Sequence, residues 1–380
     1  LANPTKPASG MTQTAIPPLD LSLRLPQLRQ ALAAEPCDVL VLSNLTNIRW
    51  LCGFSGSAAT VVVTDTSCTL ITDGRYAFQA PEQVAAANSP AEVVISSSLK
   101  EQRQLIQAAV GQASAVGLEA EHISWSAQLA WADRLPQQPV PIVGVVERLR
   151  RRKDAAEIAR MAEAAAIVDR ALADIFKALG EGNVAYREQD LAADLDHAIR
   201  RGGASETAFE TIVAAGPNSA LPHARPGSRL IQRGELLLID VGAVYDGYRS
   251  DMTRTFSLGE PSAQESDIWQ VVKEAQQLGV EAVRAGSTTG AIDSICRQRI
   301  ADAGWGEAFM HSTGHGVGLD IHEQPTVSAN TEHQLQAGEV ITVEPGVYLQ
   351  NLGGVRLEDT VLVQANSGLP LTKTPKFLAL

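Results

Sequence analysis

The stretch from His311 to Asp359 contains HSTGHGVGLDIHE (311–323), ITVEPGVY (341–348) and GGVRLED (353–359). His311, His315, His322, Glu344, Glu358 and Arg356 stand there among glycines and short β-branched runs, and the flanks have the composition of buried strands. Val340 to Val343 runs straight into Glu344, and Val355 to Glu358 alternates so that Arg356 and Glu358 share one face. A carboxylate on the inner face of a central strand must be paired, protonated or bound to a cation. Two of them beside His315 point to a cation.

Further ligands lie upstream. LLLIDVGAVYDGYRSDMTRTF (236–256) puts Asp240 at the end of an apolar strand and Asp251 eleven positions later, ahead of a strand-like run from Met252 to Phe256. Tyr245, Asp246 and Gly247 between them are turn chemistry, so a hairpin or meander is expected, with both aspartates facing one pocket. The candidate ligand set is Asp240, Asp251, His315, Glu344 and Glu358. Four carboxylates cannot share a small site as bare anions, because like charges raise one another's pKa. Two divalent cations about 3.5–4 Å apart would neutralise them. A set rich in hard oxygen favours manganese, with cobalt and zinc as alternatives.

The motifs DVG (240–242), GYRSDMTRTF (247–256), GHGVGLDIHE (314–323), EPGVY (344–348) and RLED (356–359) together resemble the creatinase/aminopeptidase P/prolidase family of pita-bread metallopeptidases. The resemblance covers the whole chain and is strongest from about Arg150 onward. It implies that the same five residues hold one metal pair. LPHARPG (221–227) resembles the segment that carries a further active-site histidine, here His223, and the GHGxGLxxHE pattern implies that His322 donates to the substrate carbonyl. The implied reaction is hydrolysis of an amino-terminal Xaa–Pro bond, in dipeptides (prolidase) or longer peptides (aminopeptidase P), and the small-peptide substrate carries proline second. In that chemistry two ions bridged by Asp251 and Glu358 hold and acidify a water, and Glu344 passes its proton to the leaving amine. His322 and His223 stabilise the oxyanion. The chain has neither a GxSxG elbow nor an HExxH helix, in keeping with this reading. Two other readings are a creatinase-like amidinohydrolase and a non-enzymatic pita-bread binding module; the complete ligand set disfavours both.

A length of 380 residues allows two domains. The expected class is α/β (α+β): a flexible N-terminal segment 1–20, a creatinase-like N-terminal domain 21–146 and a pita-bread catalytic domain 147–380. The resemblance implies that the N-terminal domain, with its TDGRY segment (72–76) of the compact bacterial type, supports subunit contacts in a homodimer and can roof the active site. As a bare turn, Asp73-Gly74 would instead leave Arg75 and Tyr76 on the surface. Residues 1–20 have no apolar core of a signal peptide, and Met11 is one candidate for the natural start, which would make Leu1–Gly10 foreign. No run approaches the roughly 20 apolar residues of a membrane helix. A net charge of −12 argues against nucleic acid or anionic membrane as a partner. Cys37, Cys52, Cys68 and Cys296 lack CxxC spacing and read as buried free thiols of a cytoplasmic protein.

Strands are expected at 39–42, 60–63, 69–72, 93–96, 211–214 and 236–241, and helices at 100–110, 124–134, 154–179, 187–201, 268–284 and 289–303. Pro136, Pro139 and Pro141 mark the seam, and the four arginines and one lysine of 147–153 read as a solvated face at a helix start. Among the remaining histidines, His311 reads equally as ligand support or structure, and His197 and His333 as surface residues. Arg356 is expected to pair with Glu358, and Trp305 and Tyr348 to form core or pocket wall.

Overall fold

The protein is described by a computed structural model covering residues 16–135, 138–181 and 186–380. The expected flexible segment falls largely outside these residues, as does Pro136 of the seam. The first part of the chain builds a six-stranded mixed sheet in the order Glu92–Ser96, Cys68–Asp73, Ala59–Val63, Val39–Leu42, Val116–Glu119, Val140–Ile142. Period-two alternation feeds two cores. Leu40 and Leu42 face one cluster, and Val39 and Val41 face another beneath the helix Leu99–Val110. Pro141 is tolerated because Val140–Ile142 is an edge strand.

The remainder forms two αβ halves. In one, the helices Ala155–Gly180 and Glu188–Arg201 cover the antiparallel sheet Ile212–Ala215, Leu236–Val241, Met252–Ser257. In the other, the helices Ala263–Ala282 and Thr289–Asp302 cover a five-stranded sheet that contains Gly314–Gly316, Val340–Val343 and Asp359–Val363. The expected elements are all present, with shifted ends. The helix expected from Ile268 begins at Ala263, because Ser262 and Glu265 close a capping box whose polar residues break the apolar pattern. Asp154 and Glu157 close a second box at Ala155, which starts the longest helix.

The two parts of the chain share one hydrophobic cluster. Trp50, Val61 and Val145 sit in it with Met161, Tyr248, Val317 and Val340. Among the described residues no helix is long and apolar enough to cross a membrane.

Three surface expectations change in the folded chain. Arg150 and Lys153, expected on a solvated face, are buried because carboxylates distant in sequence close over them. His333 is half-buried, its Nε2 2.9 Å from an oxygen of the buried Glu339. Tyr76 is half-buried as well: it packs edge-on against Phe54 at 5.2 Å and its hydroxyl reaches Ser57, whereas Arg75 does lie exposed on Asp73. His197 is exposed as expected, and the four cysteines are free thiols, with Cys37 only half-buried.

Candidate active site

The hairpin expected between Asp240 and Asp251 is present. Asp246 and Gly247 take positive φ angles of 45° and 82°, which turns the chain between Ala243–Tyr245 and Tyr248–Arg249. The strands Leu236–Val241 and Met252–Ser257 then pair with Thr253 opposite Asp240. Ile239 and Val241 point into the helix-covered core, so alternation sends Asp240 to the opposite face. Glu344 follows the buried strand Val340–Val343, and Glu358 lies between Gly353–Arg356 and Asp359–Val363. The expected strand therefore breaks at Leu357, yet Arg356 and Glu358 still reach one site.

His315 sits where the backbones pack tightly. A Cβ at Gly314 would lie 2.1 Å from the Thr342 carbonyl oxygen, and one at Gly316 would lie 2.4 Å from that of Gln324. Only glycine fits on both sides of the histidine. His315 Nδ1 lies 3.0 Å from the Gly316 carbonyl oxygen; assigning it the proton leaves Nε2 as a lone pair. Nε2 faces Glu344 Oε1 at 3.4 Å and Asp251 Oδ2 at 3.5 Å. Lone pairs do not attract one another at that range, and a cation between them resolves the arrangement.

Among the described residues Arg356 is the one guanidinium that reaches these carboxylates. Its close ion pair is with Asp240 Oδ2 at 2.6 Å, and Nε lies 4.0 Å from Glu344 Oε2; it does not pair with Glu358 as expected, because Nε is turned to Thr253 on the neighbouring strand. Its Nη1 donates both to Tyr348 Oη at 2.8 Å and to the Pro222 carbonyl at 3.2 Å, which ties the segment carrying His223 to the site. Tyr348 Oη accepts from Arg356 and so donates to His311 Nε2 at 2.9 Å, while His311 Nδ1 donates to Ser312 O at 2.7 Å. His311 is thereby fixed as neutral; burial above all pushes its pKa down to about 4. Tyr348 is more than pocket wall, a role its hydroxyl only acquires once His311 and Arg356 flank it.

The cluster as a whole has too little positive charge for its four carboxylates. Burial first, and neighbouring carboxylates next, raise Asp251 and Glu358 well above their usual values. Burial outweighs Arg356 and lifts Glu344 to about 7. Asp240 Oδ1 and Glu358 Oε1 are buried without a hydrogen-bond partner. Ligand atoms of Asp251, His315 and Glu358 all lie within 4.8 Å of one another. Buried polar atoms without partners are rare in native proteins and call for an explanation. Divalent cations fit these residues on each count: orphan oxygens, an open imidazole nitrogen and raised carboxyls.

The cluster lines a cavity of about 930 Å³ together with His223, His311 and His322. His322 is exposed to that cavity and its ring stands edge-on to His315, with centroids 4.4 Å apart. Desolvation in the cleft, then His315 and His223, lower its pKa, so it is neutral near pH 7. Sequence reading missed several supporting hydroxyls. Thr253 Oγ1 donates to Glu358 Oε2 at 2.7 Å, and Thr342 Oγ1 donates to Glu344 Oε1 at 3.2 Å. Their position opposite or two residues before a carboxylate on a strand was the available signal.

The description "Metallopeptidase family M24" matches residues 159–365, and "Creatinase/Prolidase N-terminal domain" matches residues 24–152. An uncharacterized peptidase of Bacillus subtilis is 36% identical over 367 residues, which cover 94% of this chain and 99% of the relative. Among solved structures, an Xaa-Pro dipeptidase from Bacillus anthracis is 34% identical with a TM-score of 0.89, covering 94% of this chain and 99% of its own. An X-Pro aminopeptidase from Thermotoga maritima is 31% identical with a TM-score of 0.81, covering 92% of this chain and 100% of its own. These matches span both αβ halves and the N-terminal sheet, and they coincide with the carboxylate-lined cavity: the chain belongs to metallopeptidase family M24, with a creatinase/prolidase-type domain preceding the catalytic one.

Proposed function

We propose that this protein hydrolyses the bond between an amino-terminal residue and a following proline in dipeptides or short peptides, with Asp240, Asp251, His315, Glu344 and Glu358 holding a pair of divalent ions. The uncompensated cluster carries the reading: four carboxylates meet one guanidinium, and two of their oxygens have no partner. The proline preference is supported by the dipeptidase and aminopeptidase relatives. Ions bound there supply Lewis acidity for the scissile carbonyl and acidify the attacking water. Manganese is the proposed ion, on the oxygen-rich donor set, with cobalt and zinc as alternatives.

The chain's own groups do the rest. Glu344 takes the proton from the attacking water and delivers it to the proline nitrogen, which leaves as a secondary amine. His322 and His223, both facing the cavity, donate N–H to the carbonyl oxygen as negative charge develops. Arg356 holds Asp240 and, through Pro222, the His223 segment. The complete carboxylate set speaks against a creatinase-like amidinohydrolase or a binding module.

We read the chain as a segment 1–20, a creatinase-like domain 21–146 and a pita-bread domain 147–380, the two domains together bordering the cavity. A homodimer in the cytoplasm is the proposed setting. Free cysteines suit a reducing compartment, and the charge of −12 suits neither nucleic acid nor anionic membrane as partner. Hydrolysis of Ala-Pro against Ala-Pro-Ala with added manganese tests the function. Release of alanine from at least one, lost on chelation, is expected, and their ratio separates dipeptidase from aminopeptidase. Cleavage of Ala-Ala-Ala with neither proline peptide touched overturns the reading.

A further inference from the structure

The helix Val145–Arg150 ends on a buried cation, and Lys153 adds a second three residues on; their side chains are 3% and 1% exposed. Both reach Glu323, the residue after His322. Lys153 Nζ donates to Glu323 Oε2 at 3.1 Å, and one Arg150 nitrogen donates to Glu323 Oε1 and to Asp320 Oδ2, the latter at 2.7 Å. The other terminal nitrogen of Arg150 donates to Asn47 Oδ1 at 2.7 Å. The Asn47 amide then donates to Glu119 Oε1 at 2.7 Å and Glu147 Oε1 at 2.6 Å. Glu119, at the end of a strand of the six-stranded sheet, also accepts the backbone N–H groups of Ser43 at 2.6 Å and Asn44 at 2.8 Å. Thr46 Oγ1 donates to Asp320 Oδ1 at 3.0 Å. A continuous run of charge-assisted hydrogen bonds therefore joins the N-terminal sheet to the two carboxylates that flank His322.

Nothing else holds that histidine as firmly. Among the described residues its ring has no hydrogen-bond partner; it touches His315 edge-on and otherwise depends on its backbone. That backbone is pinned at Asp320 and Glu323. The turn closes so tightly that a Cβ at Gly318 would lie 2.7 Å from Glu323 Oε2. Burial alone would push the Glu323 carboxyl up, but Lys153 and Arg150 outweigh it and bring it down to about 2, so the anchor stays ionised at any working pH.

We propose that Arg150, Lys153 and Glu323, anchored on Asn47 and Glu119, are positioning residues for His322, so that the N-terminal sheet sets the placement of a group acting at the scissile carbonyl. The inference rests on the role assigned to His322 above. None of these residues touches the reacting atoms; they act through the turn. Misplacement by about 1 Å is enough to cost up to 10²-fold in rate, so loss of an anchor shows in turnover before it shows in binding.

A double-mutant cycle on the manganese-loaded protein with Ala-Pro or Ala-Pro-Ala as substrate tests it. Asn47→Ala, whose side chain does not line the cavity, is expected to lower kcat about 10-fold with KM and metal content unchanged. In a His322→Ala background the same change is expected to cost nothing further, and Arg150→Lys should recover part of the kcat lost in Arg150→Met. Amide hydrogen exchange at 318–323 should speed up in Asn47→Ala. If Asn47→Ala does not fold, Thr46→Val, which removes only the bond to Asp320, poses the same question with a smaller expected loss. Wild-type kcat in Asn47→Ala or Thr46→Val, or a loss that persists in full without His322, overturns the proposal alone. Wild-type turnover in His322→Ala overturns the role of His322 and this inference with it.

Discussion

The carboxylates at Asp240, Asp251, Glu344 and Glu358 and the clamp around Glu323 are both buried or half-buried, and both are crowded with ionisable groups. In the clamp a guanidinium and an ammonium meet Glu323 within hydrogen-bond distance, and its pKa falls to about 2. In the cluster Arg356 alone among the described residues is available; burial raises Asp251, Glu344 and Glu358, and two oxygens lack partners there. The same residue type at the same depth has opposite acidity in the two places. Charge compensation, not burial, separates a structural carboxylate from one that needs a cation supplied from outside.

The largest expected break in that comparison is Asp251→Ala. It should abolish both turnover and metal binding, whereas no single clamp substitution should remove the metal. Mass spectrometry of metal content beside kcat checks it. His315→Ala should likewise empty or weaken a metal position.

Next in size is a reversal of sign in stability. Glu323→Ala leaves Lys153 buried without its partner and takes one of two carboxylates from Arg150, which keeps Asp320 and Asn47, and should destabilise by about 3–5 kcal/mol. Glu358→Gln, measured in the chelated protein, removes a carboxylate from a site with too many and should stabilise by about 1–3 kcal/mol. Urea unfolding of both variants decides it; destabilisation of similar size in each would erase the distinction.

His322→Ala lies between the two regions and should lower kcat about 10²–10³-fold with metal retained. Metal loss equal to that of His315→Ala would place His322 among the ligands instead.

The last effect is graded with pH and not all-or-none. A carboxyl whose folded pKa exceeds its unfolded value stabilises fully below the unfolded pKa and loses that contribution as pH rises through the folded one. For Glu344 the window runs from 4.5 to about 7, and Asp251 and Glu358 act in the same direction. The chelated protein should therefore lose a few kcal/mol between pH 5 and pH 8, seen as a falling Tm. Glu323, with its folded pKa below the unfolded value, should yield only as pH drops from 4.5 toward 2. Metal-loaded protein should reverse the first trend, since ligands bind deprotonated.

Much of this site was legible before folding was considered. Asp240 and Asp251 are placed together by a turn signal between two apolar runs, and His315 by the strand-end glutamates near it; why glycines flank it shows only in the packed strands. Arg356 was legible as a site residue but not in its partner, because a long side chain chooses among neighbours that only the packed strands bring within reach. Tyr348 is buried as expected but its bonds to His311 and Arg356, like the Glu339 partner of His333, escape the sequence for the same reason.

By itself the amino-acid order determined the strands and helices, the hairpin at Asp246-Gly247 and the run of carboxylates that cannot all be bare anions, since these depend on local periodicity and on charge count. Tertiary structure alone decided which charges are compensated. In RLRRRK (148–153) the cations look alike, yet Arg148 and Arg152 are exposed while Arg150 and Lys153 are buried against Glu323, 170 or more residues away. Ionisation in a low-dielectric interior responds to distances of a few ångström in space, and separation along the chain carries no such information.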